Sequence, residues 1–152
     1  DFSSNGEESA SILRQLSPED WRFGDVEQTS GAPSFLHVTR SSVQVYHSKF
    51  SGFVADRGGA ISIQDKSTVS MHQSIFTKNR ALSHGGVMVV TDSEVDLQHC
   101  SMMQNEAALS AGALLIWKSK VVARACTFAD NSVVPAETSQ GRGGAIYAVY
   151  AQ

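Results

Sequence analysis

The stretch FTKNRALSHGGVMV, Phe76–Val89, contains two signatures. A Phe stands three places before an Asn, and a Gly pair precedes a run of aliphatic residues. FADN recurs at Phe128–Asn131, and RGGAI occurs at Arg57–Ile61 and again at Arg142–Ile146. Self-similarity at a fixed period marks a repeat architecture. Counted from Val43, the residues Val69, Val95 and Val121 follow at intervals of 26. Seven places after each Val stands a large apolar residue: Phe50, Phe76, Met102, Phe128. Three further on come Phe53, Asn79, Asn105 and Asn131. Ser41, Ser67, Ser93 and Ser119 form another column, and Ser48, Ser74, Cys100 and Cys126 another.

Within each repeat the apolar spacing is two, as in VSM, VDL and GGAISI. That is strand periodicity, with side chains alternating between faces. No repeat carries the stripe of an amphipathic helix. Coils of about 26 residues with three short strands and three turns describe a parallel β-helix. The expectation is an all-β, right-handed parallel β-helix of about four to five coils. Coils stack about 4.8 Å apart, so equivalent residues form columns. Phe50, Phe76 and Phe128 are expected in an interior stack, and Asn79, Asn105 and Asn131 in an amide ladder at a corner. The Gly pairs supply a second corner, where a missing Cβ permits positive φ.

The register stops upstream of residue 34, which predicts two regions: 1–33, a tail and cap, and 34–152, the repeat domain. Residues 1–8 are polar and, as a terminus, expected to be mobile. SPEDWRFG, Ser17–Gly24, has the Ser, Pro, acid and Gly order of a short helical turn. SASILRQL before it reads as a second short helix, with Leu13, Leu16 and Trp21 covering the open end of the core. At the other end, AIYAVYAQ reads as the opening strand of a further coil, an edge that more chain or another subunit would cover. The last repeat is longer by six residues, in SVVPAETSQGRGG. Pro135, Glu137, Gln140 and Arg142 in this loop are candidate binding residues, because loops on rigid scaffolds often carry binding.

Charge and composition narrow the function. Charged residues make up 18% and the net charge is −3, with Lys and Arg scattered. A nucleic-acid footprint needs a clustered basic face, so no nucleic-acid partner is expected. No apolar run approaches the roughly 20 residues of a membrane-spanning helix. Catalytic β-helices need carboxylates converging on one face. Here Asp65 and Asp92 align but Lys118 follows, Asp96 stacks between Ser70 and Val122, and Asp130 follows Lys78 and Gln104. His47 and His99 share a column two coils apart, with Gln73 between. No catalytic, metal or cofactor site is expected. Cys100 and Cys126, in consecutive coils, are expected as two reduced, stacked, buried thiols.

Phe-x-x-Asn alternating with Gly-Gly-Ala-Ile resembles the repeats of the polymorphic outer membrane proteins of chlamydiae. The matching residues are GGAI (Gly58–Ile61), FTKN (Phe76–Asn79), GGVM (Gly85–Met88), FADN (Phe128–Asn131) and GGAI (Gly143–Ile146). Degenerate copies are FSGF (Phe50–Phe53), MMQN (Met102–Asn105) and AGAL (Ala111–Leu114). The resemblance implies a non-catalytic, extracellular or cell-surface module for adhesion or scaffolding, with a protein or glycan partner. Alternatives are a fragment of a carbohydrate-active β-helix enzyme, and a structural subunit docked through its open C-terminal edge.

Overall fold

The computed structural model describes residues 33–135 and 141–152, together with the strands Phe2–Ser3 and Ser9–Ile12. Every strand belongs to a solenoid, and every neighbouring pair is parallel. The all-β parallel helix expected from the repeat is the observed architecture. Four sheets run along its axis. The first face stacks Leu36–Thr39, Ile61–Gln64, Met88–Thr91, Leu114–Trp117 and Ile146–Val149. The second stacks Ser42–Tyr46, Thr68–His72, Glu94–Gln98 and Lys120–Arg124. The third stacks Lys49–Ser51, Ile75–Thr77, Ser101–Met103 and Thr127–Ala129. The fourth stacks Val54–Arg57, Arg80–His84, Glu106–Ala107 and Ser132–Val133.

Each coil thus has four strands and four corners, not three. The missed corner, between the first and second faces, carries neither Gly nor Asn. At every corner one residue adopts positive φ, and it is often an ordinary one: Arg40, Lys66, Asp92 and Lys118 between the first and second faces, His47, Gln73, His99 and Ala125 between the second and third. Such residues cost about 1 kcal/mol or more each.

What offsets that cost follows each turn. Ser41, Ser67 and Ser93 donate their backbone N–H to the hydroxyl of the next coil's Ser, at 3.4, 3.1 and 3.1 Å. At the corner between the third and fourth faces, Asn105 Oδ1 accepts from both the backbone N–H and Nδ2 of Asn79. Asn131 Oδ1 does the same for Asn105. Each Nδ2 also donates to a carbonyl of the coil before: Phe50, Phe76 and Met102 for Asn79, Asn105 and Asn131. The positive φ lies one residue before each Asn, at Lys78, Gln104 and Asp130. Asn is used for its amide rather than for its tolerance of the left-handed region.

The Gly pairs divide their work similarly. The first of each pair takes positive φ at Gly58, Gly85 and Gly143, yet Ala111 takes it too. At Gly59, Gly86 and Gly112 the second has no substitute: a Cβ on Gly86, for instance, would collide with the carbonyl oxygen of Gly112. At Gly144, in the last coil, nothing lies close. Crowding between coils, not φ, fixes that position.

Inside, Phe50 stacks on Phe76 with centroids 5.0 Å apart and planes 8° from parallel. Met102 continues the column in register, and Phe128 ends it, half-buried. The two ends differ. At the first coil Phe35 stacks on Phe53 at 4.5 Å, and Phe53 takes the Asn position. Among the described residues no earlier Asn N–H needs an acceptor there, so an apolar residue is free to cover the core. Phe2–Ser3 and Ser9–Ile12 add parallel strands to the first and second faces. Ser9–Ile12 is therefore extended, which corrects the short helix expected there: in register with Ser42–Val45, its backbone pairs with the sheet. Residues 13–32, including Leu13, Leu16, Trp21 and the Ser17–Gly24 turn, lie outside the described residues. At the C-terminal end the core is open, with Ile146 exposed at 42%.

Replacing Asn105 by Ala strands the donors of Asn79 and the carbonyl of Phe76. The expected loss in a urea melt is about 3 kcal/mol or more, from two or three buried groups at about 1–3 kcal/mol each. Asn131→Ala, on the half-exposed last rung, should cost less; equal losses would show that the ladder does not hold the corner. Phe76→Ala should cost about 3–5 kcal/mol by cavity formation.

Candidate binding groove

The corner between the first and second faces forms an open groove of about 820 Å³ that crosses all the coils. Its floor is the Ser ladder: Ser67, Ser93 and Ser119 are buried. Their hydroxyls donate back to the carbonyls of Gln64, Thr91 and Trp117. The walls are the corner residues, whose left-handed backbone turns the side chains outward. Coil by coil they read Arg40, then Asp65 and Lys66, then Asp92 and Glu94, then Lys118 and Lys120, and finally Tyr150. The second coil holds one residue more than the others here, so Asp65 and Lys66 both take positive φ. Consequently Ser67 reaches back three residues to Gln64, where Ser41, Ser93 and Ser119 reach back two.

These seven charged side chains make no ion pair or hydrogen bond with any described residue. Glu94 and Lys120 sit opposite each other in the ladder without bonding. The ion pairs among the described residues lie elsewhere. Arg80 Nε meets Glu106 Oε1 at 3.1 Å, and Arg124 meets Asp96 Oδ1 at 2.9 Å. Gln98 holds the other oxygen of Asp96 at 2.8 Å, which leaves that carboxylate fully engaged. At the end of the groove Trp117 and Tyr150 meet edge to face, 5.9 Å between centroids. Backbone groups along the floor are also used: Lys66, Asp92 and Lys118 each donate N–H to the next coil. Recognition in the groove thus falls to side chains.

Of the loop residues chosen from sequence, Pro135 and Arg142 do not line this groove. Pro135 is exposed; Glu137 and Gln140 lie outside the described residues. Arg142 pairs with Ser110 through the backbone and points its guanidinium at the Tyr147 hydroxyl, 3.3 Å away. Sequence reasoning weighed Asp65, Asp92 and Lys118 as a failed acidic column. The signal it passed over was the residue just before each Ser of the ladder, which is charged in all four coils.

Two other clusters contain reactive groups. His84 Nδ1 and Ser110 Oγ lie 2.7 Å apart, but Ser110 is buried and has no path to a substrate. Cys100 and Cys126 are both free; Cys100 is buried and Cys126 only partly so. Their thiols donate to carbonyls of Met71 and Leu97 one coil back. Burial pushes the Cys100 thiol up. Among the described residues no group of three or more His, Cys, Asp or Glu is placed to hold a metal. No described helix is long and apolar enough to cross a membrane.

A solenoid of stacked parallel coils with ladders at its corners defines a class, the parallel β-helices. The family model of the right-handed β-helix region matches residues 34–149, and the chain belongs to that family. Comparison with curated proteins and with solved structures gives no match.

Under denaturing, non-reducing conditions two thiols should titrate per chain. In the folded protein Cys126 should label first and Cys100 at least about tenfold more slowly, as burial disfavours its thiolate. Zero thiols would reveal a coil-to-coil disulfide instead. Burial, then Arg57, lowers the His84 pKa below its ordinary 6.5, with Asp56 opposing. The unfolded chain therefore binds the proton first as pH falls, and stability should drop below about 6.5. His84→Gln, which keeps an amide beside Ser110, should flatten that drop in urea melts across acid pH; an unchanged slope would assign the effect to other groups.

Proposed function

We propose that this β-helix is a non-catalytic binding or scaffolding module of a surface-exposed, adhesin-like protein. The observation that carries the proposal is the set of seven charges on one groove with no partner among the described residues. A rigid solenoid fixes their backbone positions, so a ligand has only the side chains to order. Both signs are present, which favours a partner carrying both donors and acceptors over a simple polyanion. The repeat's Phe-x-x-Asn and Gly-Gly-Ala-Ile pairing, similar to that of the chlamydial polymorphic outer membrane proteins, supports a surface setting and a protein or glycan partner. Catalysis is disfavoured because Lys118 breaks the column begun by Asp65 and Asp92, while Asp96 is doubly engaged.

The test is binding of the segment to host cells and to a glycan array, comparing wild type with Lys118→Glu/Lys120→Glu and with Asp92→Lys. Loss of about tenfold or more in affinity is expected, as when interfacial charges are reversed. Melting should change little, because these side chains are exposed. Unaltered binding by both variants would move the site elsewhere. Release of reducing ends from a polysaccharide that stops on Asp92→Asn would replace this reading with an enzymatic one.

A further inference from the structure

Cys100 and Cys126 hold one position in two consecutive coils. The residues flanking them pair in register, Gln98 with Arg124 and Ser101 with Thr127. Their sulfurs also point the same way. Cys100 Sγ lies 3.4 Å from the carbonyl oxygen of Met71 and 3.5 Å from that of Gln98. Cys126 Sγ lies 3.5 Å from that of Leu97 and 3.4 Å from that of Arg124. One coil's translation therefore relates the two sulfurs, which sets them about 4.8 Å apart. The thiols meet each other: burial first, then contact with Cys126, raises the Cys100 pKa, against the backbone of Ser74. Their spacing is too long for a disulfide, whose sulfurs lie about 2.0 Å apart and whose Cβ atoms want about 3.8 Å. It is close to twice a metal–thiolate bond of about 2.3 Å.

We propose that Cys100 and Cys126 form a linear, two-coordinate site for a soft cation, Cu(I), held between their two coils. The ion sits on the line joining the sulfurs. Binding releases one proton from each thiol, and nothing is oxidised or reduced: Cu(I) and two S–H groups give S–Cu–S and two protons. Softness selects the metal, because thiolates favour Cu(I) where carboxylate and carbonyl oxygens suit Mg2+ or Ca2+. Coordination number narrows the choice further. Structural zinc wants four ligands in a tetrahedron, and among the described residues no third His, Cys, Asp or Glu joins the pair. Ser48 and Ser74, in the same column, carry hydroxyls, which are hard ligands, so the site falls to the two Cys alone. The surroundings are apolar: Cys100 belongs to the buried core and Cys126 packs against it. The inference is independent of the groove and of what binds there.

The test is anaerobic titration of the reduced protein with Cu(I), in competition with a chromophoric Cu(I) chelator. One equivalent per chain should bind, with new ultraviolet absorption from thiolate-to-Cu(I) charge transfer. Both thiols should then resist alkylation. The melting temperature should rise with Cu(I) concentration, because the ion binds the folded state. Cys100→Ser and Cys126→Ser restore the residue that the column carries at Ser48 and Ser74, so both variants should fold. Each should bind Cu(I) at least about a hundredfold more weakly, since loss of an outer-shell partner alone costs about 10–100-fold. Thiol protection is read on the unaltered chain, so the test does not hang on how the variants fold. Unchanged affinity in either variant, half an equivalent per chain, or Zn2+ bound as tightly as Cu(I) would each overturn the proposal. So would thiols that stay reactive with Cu(I) present.

Discussion

Three of the four corners of this solenoid rest on one kind of hydrogen bond, a backbone N–H given to a side-chain oxygen of the following coil. The Gly-pair corner gives its N–H groups to backbone carbonyls instead. A chain that turns four times per coil around an apolar core leaves polar groups at each turn with no strand to pair them. Left unmet, each buried group costs about 1–3 kcal/mol. Ser and Asn meet the demand because their oxygens sit close to the backbone, on the stacking axis. Where Cys100 and Cys126 replace Ser, the thiols still donate to carbonyls, but sulfur is a weak acceptor. That substitution occurs only in the later coils of one column.

The ladder also explains what was legible in the sequence. Val43 to Ala55 and its equivalents keep one spacing in every coil, because two ladders and the Phe column lie within it. Columns this strict reveal the fold without an alignment. One of the four corners stayed hidden, that between the first and second faces, because its turning residue is Arg, Lys, Asp or Tyr rather than Gly. The signal there was the Ser that follows, at Ser41, Ser67, Ser93 and Ser119, not the turning residue itself. The helical reading of Ser9–Ile12 failed for a different reason: a short apolar run takes its conformation from the edge it pairs with.

The groove was less legible because the sign and shape of its wall residues do not repeat. Its residues share a backbone position, yet their chemistry changes with each coil: Arg40, Lys66, Asp92, Lys118, Tyr150. The fold asks of that position only that it turn and point outward. Any side chain willing to bear positive φ will do, so the identity of each is left to other demands. Buried columns, by contrast, admit aliphatic residues, Phe or Met, and Ala in the column Ala55, Ala81 and Ala107.

Changes in coil length follow the same division. The extra residue at Asp65–Lys66 and the shift in register between Ala81 and His84 both flank the first face. So does the six-residue extension before Gly144. None falls at the corners of the Ser48–Cys126 or Asn columns. The reason is steric as well as polar: within those corners an added residue would move the Phe stack and break the amide ladder together. Beside the first face it displaces only outward-turning side chains. Variation in length and variation in charge therefore gather on the same side of the helix, and at Asp65–Lys66 a single added residue places one charge of each sign in the groove.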